Sequence, residues 1–267
     1  MSTSNSPFDQ IAGDYDEVFS HSPAGKLMRK QVHALLEPIL LHNSMHILEL
    51  NCGTGIDAVW LAGKGHRVIA TDISGSMIAK TVARADASAI PVQLTTQCLS
   101  INDLGQVPTD HQFDLIFSNF GGFNCLSPDE ILESAPHIHR LLRPGGYFVA
   151  VVMNECCLWE SVYFTLRLKF KQIFRRKKIR GHPVSIGNQA VINTWYYNRD
   201  NFKKLFAGRF NCTATYPVGL FTPPPYILNQ PHWEKYLHLL AKVDKKIQKF
   251  QFFSRFSDHF LIQLKTL

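Results

Sequence analysis

The sequence predicts an α/β fold: a mostly parallel sheet with helices on both faces. Three observations predict it. Residues 46–57, HILELNCGTGID, run an apolar strand pattern into a glycine-bearing turn and then into a helical pattern, Ile56 to Ala62. Strand and helix patterns alternate through residues 46–153, with five strand signals, which argues for parallel strands joined by covering helices. The 267 residues suffice for one large core with an insertion.

Residues 1–45 read as an N-terminal helical cover, with Ser22-Pro23 opening a helix through Leu41. The first strand ends at Asn51-Cys52-Gly53-Thr54-Gly55. Gly53 and Gly55 lack a Cβ, so a ligand can approach the backbone. The helix beyond them starts with unpaired N–H groups that favour an anionic or polar ligand group. The second strand, Arg67–Thr71, ends at Asp72, and the third reaches Cys98-Leu99-Ser100. The fourth, from Phe113, ends at the polar tip Ser118-Asn119. A helix over Pro128–Leu142 stops at Arg143-Pro144-Gly145-Gly146, and the fifth strand follows. Residues 154–190 form a basic insertion. Val191–Tyr197 reads as a short strand, Asn198–Ala207 as a helix and Asn211–Val218 as a sixth strand. Thr222–Tyr226 is a proline-stiffened loop, residues 231–250 a basic amphipathic helix, and His259–Leu264 the closing strand.

Two ligands compete for the first turn. Gly53-Thr54-Gly55-Ile56-Asp57-Ala58 satisfies the dinucleotide pattern G-x-G-x-x-G/A. With Glu49 it also satisfies E-x-x-x-G-x-G. Asp72 suits ribose hydroxyls in either case. Glu49 discriminates, because a carboxylate there opposes a pyrophosphate but accepts from an α-ammonium group.

With Glu49–Gly55, Asp72, Phe113–Asn119 and Leu141–Phe148 in this order, the chain resembles class I S-adenosylmethionine-dependent methyltransferases of the small-molecule type, closely over about residues 40–153. Asn51 departs from the family's usual glycine, but asparagine tolerates left-handed backbone angles. The resemblance implies a Rossmann-like, doubly wound seven-stranded sheet over 46–267, its last strand antiparallel. It implies an enzyme that uses S-adenosyl-L-methionine and no metal. By position, Glu49, Asn51, Gly53 and Gly55 meet the cofactor, Asp72 takes its ribose, and Ile73 and Met77 lie against the adenine. Leu99 and Ser100 stand at the adenine edge, and Ser118 and Asn119 border the sulfonium. By resemblance Tyr15 closes over the cofactor, against a helix-packing role. Arg29 pairs with its methionine carboxylate, against a solvated arginine.

The acceptor pocket is expected to be apolar and to draw on Phe120, Phe123, Trp159, Trp195, Tyr196, Tyr197, Phe221 and Tyr226, with core packing the competing role. A sulfonium methyl needs alignment more than activation. His21, Glu155 and Asn119 are weak base candidates, and none is preferred. Ser118-Asn119-Phe120-Gly121 lacks the N-P-P-[YF] signature of many amino-group methylases, so O- or C-methylation of a quinone, polyketide-like or lipid-linked compound is favoured.

The formal charge is +7. Residues 159–181 carry Arg167, Lys169, Lys171, Arg175, Arg176, Lys177, Lys178 and Arg180 against Glu160 alone, so the excess belongs to this segment. Trp159, Val162, Tyr163, Leu166, Phe170 and Phe174 recur at helical spacing, predicting one amphipathic helix. An anionic membrane surface is the expected partner, with a merely solvated face of equal weight and nucleic acid weaker. The functional alternatives are a tRNA or rRNA methyltransferase that grips RNA through this insertion, a non-catalytic binding protein with a degenerate pocket, and an NAD-dependent oxidoreductase, which Glu49 opposes. No apolar run is long enough for a bilayer span. The N-terminus has no leader pattern, and the six cysteines show no C-x-x-C spacing. A cytoplasmic location, peripheral to the inner membrane surface, is therefore expected. Oligomeric state is not predicted.

Overall fold

The computed structural model describes all residues except 1–5, 41–43, 89–92, 109–111, 178–180, 187–189 and 225–233. Its elements run α1 (Pro23–Leu36), β1 (His46–Leu50), α2 (Ile56–Gly63), β2 (Arg67–Asp72), α3 (Gly75–Ala87), β3 (Leu94–Cys98), β4 (Phe113–Ser118), α4 (Pro128–Leu141) and β5 (Leu142–Met153). Then follow α5 (Leu158–Leu166), α6 (Phe170–Ile173), β6 (His182–Ile186), β7 (Ala190–Thr194), α7 (Arg199–Leu205), β8 (Phe210–Val218), α8 (Glu234–Ile247) and β9 (His259–Thr266).

Seven strands form one sheet in the order β3-β2-β1-β4-β5-β9-β8. β1 to β5 are mutually parallel, and β9 runs antiparallel to both β5 and β8. The sheet is the Rossmann-like arrangement the resemblance implies. β1 lies in its interior, and Ile47, Leu48 and Leu50 are buried, as a strand covered on both faces requires. One face carries a core rich in phenylalanine, with Phe113, Phe123, Phe148, Phe202, Phe206 and Phe260. The other packs Met28, Val32 and Leu36 of α1 and Ala58 and Leu61 of α2 on Ile47 and Phe117. Helix starts follow local chemistry. Ser22 Oγ accepts from Gly25 N (3.0 Å) at α1, and Ser127 and Glu130 cap α4 reciprocally.

The insertion departs from expectation. The predicted single helix is two short ones, broken at Leu168, whose φ is +55°. A two-stranded antiparallel hairpin, β6–β7, follows where only the second strand was expected. One of the segment's bases is buried and a second is held in an ion pair. Arg176 is 4% exposed and donates from Nη2 to Glu160 Oε1 (2.5 Å) and Asp258 Oδ1 (2.7 Å). Arg175 Nε donates to Glu160 Oε2 (2.9 Å). Lys178, Arg180 and Tyr226 lie outside the described residues. Among the described residues no helix is long and apolar enough to cross a membrane.

Candidate active site

A cavity of about 1330 Å³ opens beyond the carboxyl ends of β1, β2 and β4, where open α/β sheets bind ligands. The turn after β1 is held in left-handed conformations at Asn51 (φ +47°) and Gly53 (φ +56°). Asn51 locks it to the β4 tip: Ser118 Oγ donates to Asn51 Oδ1 (2.5 Å), and Asn51 Nδ2 donates to Asn119 O (2.7 Å). Asp72, ending β2, accepts from Gly53 N and Ser74 N, both at 2.9 Å. Burial raises its carboxyl, and these backbone donors oppose the rise.

The N-terminal segment roofs this end. Asp9 Oδ1 accepts from Ser74 Oγ (2.6 Å) and Ser76 N (3.0 Å), while Asp16 accepts from Thr54 Oγ1 (2.6 Å) and Arg84 Nη2 (2.5 Å). Tyr15 lies over Gly53: a Cβ on that glycine would meet only Tyr15 Cε1, at 3.9 Å. Burial pushes the Tyr15 hydroxyl up to about 12.

A polar cluster lies beside the turn. Asp57 pairs with Arg29 and accepts from His33 Nε2 (2.7 Å) and Asn119 Nδ2 (2.9 Å). Burial would raise the Asp57 carboxyl, but Arg29, His33 and Asn119 outweigh it and hold it well below the usual range. Glu49 behaves oppositely. Burial and the Asp57 charge push it well above the carboxylate range, against the pull of Arg29. Its Oε2 is buried without a hydrogen-bond partner. Arg29 is therefore a half-buried, ion-paired residue, not a solvated one, with its guanidinium 5.2 Å from the Phe120 ring centroid.

The cavity continues past Phe120 toward the insertion, reaching His21, Met153, Arg175, Arg176, His182, Tyr196, Asp258 and His259. His259 meets the Phe120 ring edge-on at 5.5 Å, and its Nδ1 lies 3.1 Å from Asp258 Oδ2. Burial would raise Asp258, but Arg176 and His259 hold it low.

Of the residues expected at the site, Tyr15, Arg29, Asn51, Gly53, Asp72, Ile73, Met77, Leu99, Ser100, Asn119, Phe120 and His21 line the cavity. Others do not. Glu49 lies behind the wall, with only 1% of its surface exposed. Ser118 is buried and serves Asn51. Gly55 serves packing, since a Cβ there would lie 2.6 Å from Thr81 Cγ2. Phe123 is fully buried among Phe148, Phe202 and Phe206. Trp159 Nε1 donates to Phe221 O (2.8 Å), and the Trp195 ring packs at Gly181. Tyr197 is buried and donates to Leu126 O (2.5 Å). Glu155 lies off the wall and accepts from Asn198 Nδ2 (3.1 Å). Extended backbone sends neighbouring side chains to opposite sides, so Tyr196 faces the cavity while Trp195 and Tyr197 face the core. Asp57, Asp258 and His259 were not anticipated. Asp57 stands inside the glycine motif itself, whereas nothing local marks the other two.

Residues 47–146 match the family model described as a methyltransferase domain. The matched stretch is a methyltransferase domain similar to those of the class I S-adenosylmethionine-dependent enzymes. A ubiquinone/menaquinone biosynthesis C-methyltransferase UbiE from Acidiphilium cryptum is 31% identical over 152 residues, 55% of this chain and 57% of that protein. A malonyl-[acyl-carrier protein] O-methyltransferase from Erwinia pyrifoliae is 30% identical over 53% of this chain and 50% of its own. The chain spans little more than half the length of the curated relatives it matches. Among solved structures, the CcbJ methyltransferase from Streptomyces caelestis superposes with a TM-score of 0.60 at 16% identity, covering 98% of both chains. At that identity the likeness is one of fold.

S-adenosylmethionine, the cofactor of such methyltransferase domains, suits the residues present. The unpartnered Glu49 Oε2 and the raised Glu49 carboxyl are relieved by a cation. The space above Gly53 is open up to Tyr15, and Ile73, Met77 and Leu99 offer an apolar bed for a flat base beside Asp72.

Proposed function

We propose that this chain transfers the methyl group of S-adenosylmethionine to a hydrophobic small molecule bearing an acidic O–H or C–H, with O- or C-methylation favoured over N-methylation. One observation carries the reading. A cavity whose first end suits the cofactor places the His259–Asp258 pair at its second end, separated from Arg29 by the Phe120 ring.

When bound, the cofactor supplies an electrophilic methyl on a sulfonium. The residues do the rest. Asp72 holds the ribose, and Ile73, Met77 and Leu99 bed the base. Arg29, Asp57 and Asn119 take the amino-acid end, with Glu49 behind them. Tyr15 and the segment around it keep water from the first end. At the second end, Phe120, Met153 and Tyr196 wall an apolar acceptor. A phenol ionises near pH 10, so its attack at neutral pH gains from a base. Asp258 lies 3.1 Å from Nδ1 of His259, and its charge favours the imidazolium that forms as His259 takes the acceptor's proton. The named relatives include one C- and one O-methyltransferase, and an acid acceptor proton is common to both chemistries.

Labelled methyl transfer into fractionated extract of the native cell tests the reading. Label is expected in the organic phase, and His259→Gln is expected to lower its rate by about 10²- to 10⁴-fold. Calorimetry with S-adenosylhomocysteine is expected to give the same affinity for both proteins. Label in RNA would replace the acceptor class. Binding without turnover would reduce the chain to a binder, and an undiminished His259→Gln rate would remove the base.

A further inference from the structure

We propose that the surface formed by residues 158–177 and 236–256 docks on an anionic lipid bilayer. The broken helix exposes large apolar side chains in quick succession: Leu166 is 80% exposed, Leu168 76% and Phe174 59%. Val162 and Phe170 join them. The segment before β9 does the same with Phe250 and Phe252. A soluble surface scatters such side chains singly, and a contiguous group marks a contact site.

The two segments form one surface. Leu158 N donates to Phe256 O (2.8 Å). Trp159 Nε1 donates to Phe221 O, and Phe221 N donates to Asp244 Oδ1 on α8, both at 2.8 Å.

Charge selects the occupant. Arg167, Lys169, Lys171 and Lys177 are exposed on the first segment, and Lys242, Lys245, Lys246 and Lys249 on the second. The only carboxylates within these two spans are Glu160 and Asp244, and both are buried. Lys177 stands over the Phe174 ring and Lys249 over the Phe250 ring, each at 5.6 Å. Cations beside exposed rings and leucines are the chemistry of an interfacial lipid contact, where lysine heads meet phosphate and apolar side chains enter the acyl boundary. A nucleic acid would use the cations and leave Leu166 and Leu168 idle. A second copy would set two cationic faces against each other. Arg175 and Arg176, which line the acceptor end of the cavity, link this surface to it, so a lipid-dissolved acceptor meets the protein where it enters. Docking itself does not depend on the methyl-transfer reading.

Flotation of the full chain with vesicles is the test. Vesicles of phosphatidylcholine alone are compared with vesicles holding about 30 mol% phosphatidylglycerol, at low and high salt. The wild type is expected to partition onto the anionic vesicles at least about tenfold better at low salt. Lys169→Glu/Lys171→Glu/Lys177→Glu is expected to lose that gain. Leu166→Gln/Phe170→Gln/Phe174→Gln, which keeps every charge, is expected to lose a similar share. None of these six residues lines the cavity, so thermal melts and calorimetry with S-adenosylhomocysteine are expected to match the wild type and verify folding. Equal partitioning onto both vesicles, or a glutamine variant that floats like the wild type, would overturn the proposal. So would a self-association in sedimentation that the glutamine variant abolishes without any flotation, or RNA binding that the glutamate variant alone abolishes.

Discussion

The two ends of the cavity are built by opposite means. The first is assembled from strand tips: the turns after β1, β2 and β4 deliver Asn51, Gly53, Asp72 and Asn119 by the register of parallel neighbours. The second is assembled from ion pairs between distant segments. Arg176 meets Glu160 and Asp258, which are 16 and 82 positions away in the chain. The first end tolerates loss of a side chain better than loss of backbone freedom. The second rests on charges that cannot be left alone.

The largest expected effect follows from that difference. Arg176→Met leaves Glu160 short of a partner and Asp258 with His259 alone, both buried. It is expected to destabilise the fold by about 3–5 kcal/mol in denaturant unfolding, as breaking a buried pair does. A loss below about 1 kcal/mol would break the comparison. Gly55→Ala comes next, forcing a Cβ at φ +80° into Thr81. A loss of about 1–3 kcal/mol is expected from thermal melts. Gly53→Ala, with space around it, is expected to cost about 1 kcal/mol and to act on S-adenosylhomocysteine affinity instead. If both glycine variants lost stability equally, the packing role assigned to Gly55 would fall. Tyr197→Phe leaves the buried Leu126 carbonyl without its donor, and about 1–2 kcal/mol is expected with no change in cofactor affinity.

The smallest signal concerns Glu49. Its folded carboxyl lies above its ordinary value of 4.5, so ionising it opposes folding. Its contribution to stability declines as pH rises from the unfolded value toward the folded one. A cofactor cation favours the carboxylate, so binding at a pH between the ordinary and the raised value is expected to release part of a proton. Calorimetry in buffers of different ionisation enthalpy reads this release, and Glu49→Gln is expected to remove it. Asp57 has the reverse sign: its stabilisation is complete above its unfolded value and is lost as acid protonates it.

The same contrast explains what the sequence made legible. The strand–turn–helix at Glu49–Ala62 and the order of the motifs specify the sheet and the first end, because strand period, glycine geometry and helix starts are local properties. The aromatic acceptor wall was half misplaced because apolarity does not distinguish core from cavity: Phe123 and Tyr197 fill the core, and Tyr196 between neighbours of its own kind does not. The apolar spacing of the basic insertion is helical through Phe174 and so predicts one helix. The break at Leu168 and the inward turn of Arg176 depend on partners that no window of sequence contains.

Five polar contacts pin residues 9–16 to the first turn and to α3, counting Lys80 Nζ to Gly13 O. A molecule seated under Tyr15 departs only when some of these let go. The far end is framed by different bonds on different parts of the chain. Residence time of spent donor and escape of product are therefore expected to answer to different substitutions, one set along residues 9–16 and the other around Arg176.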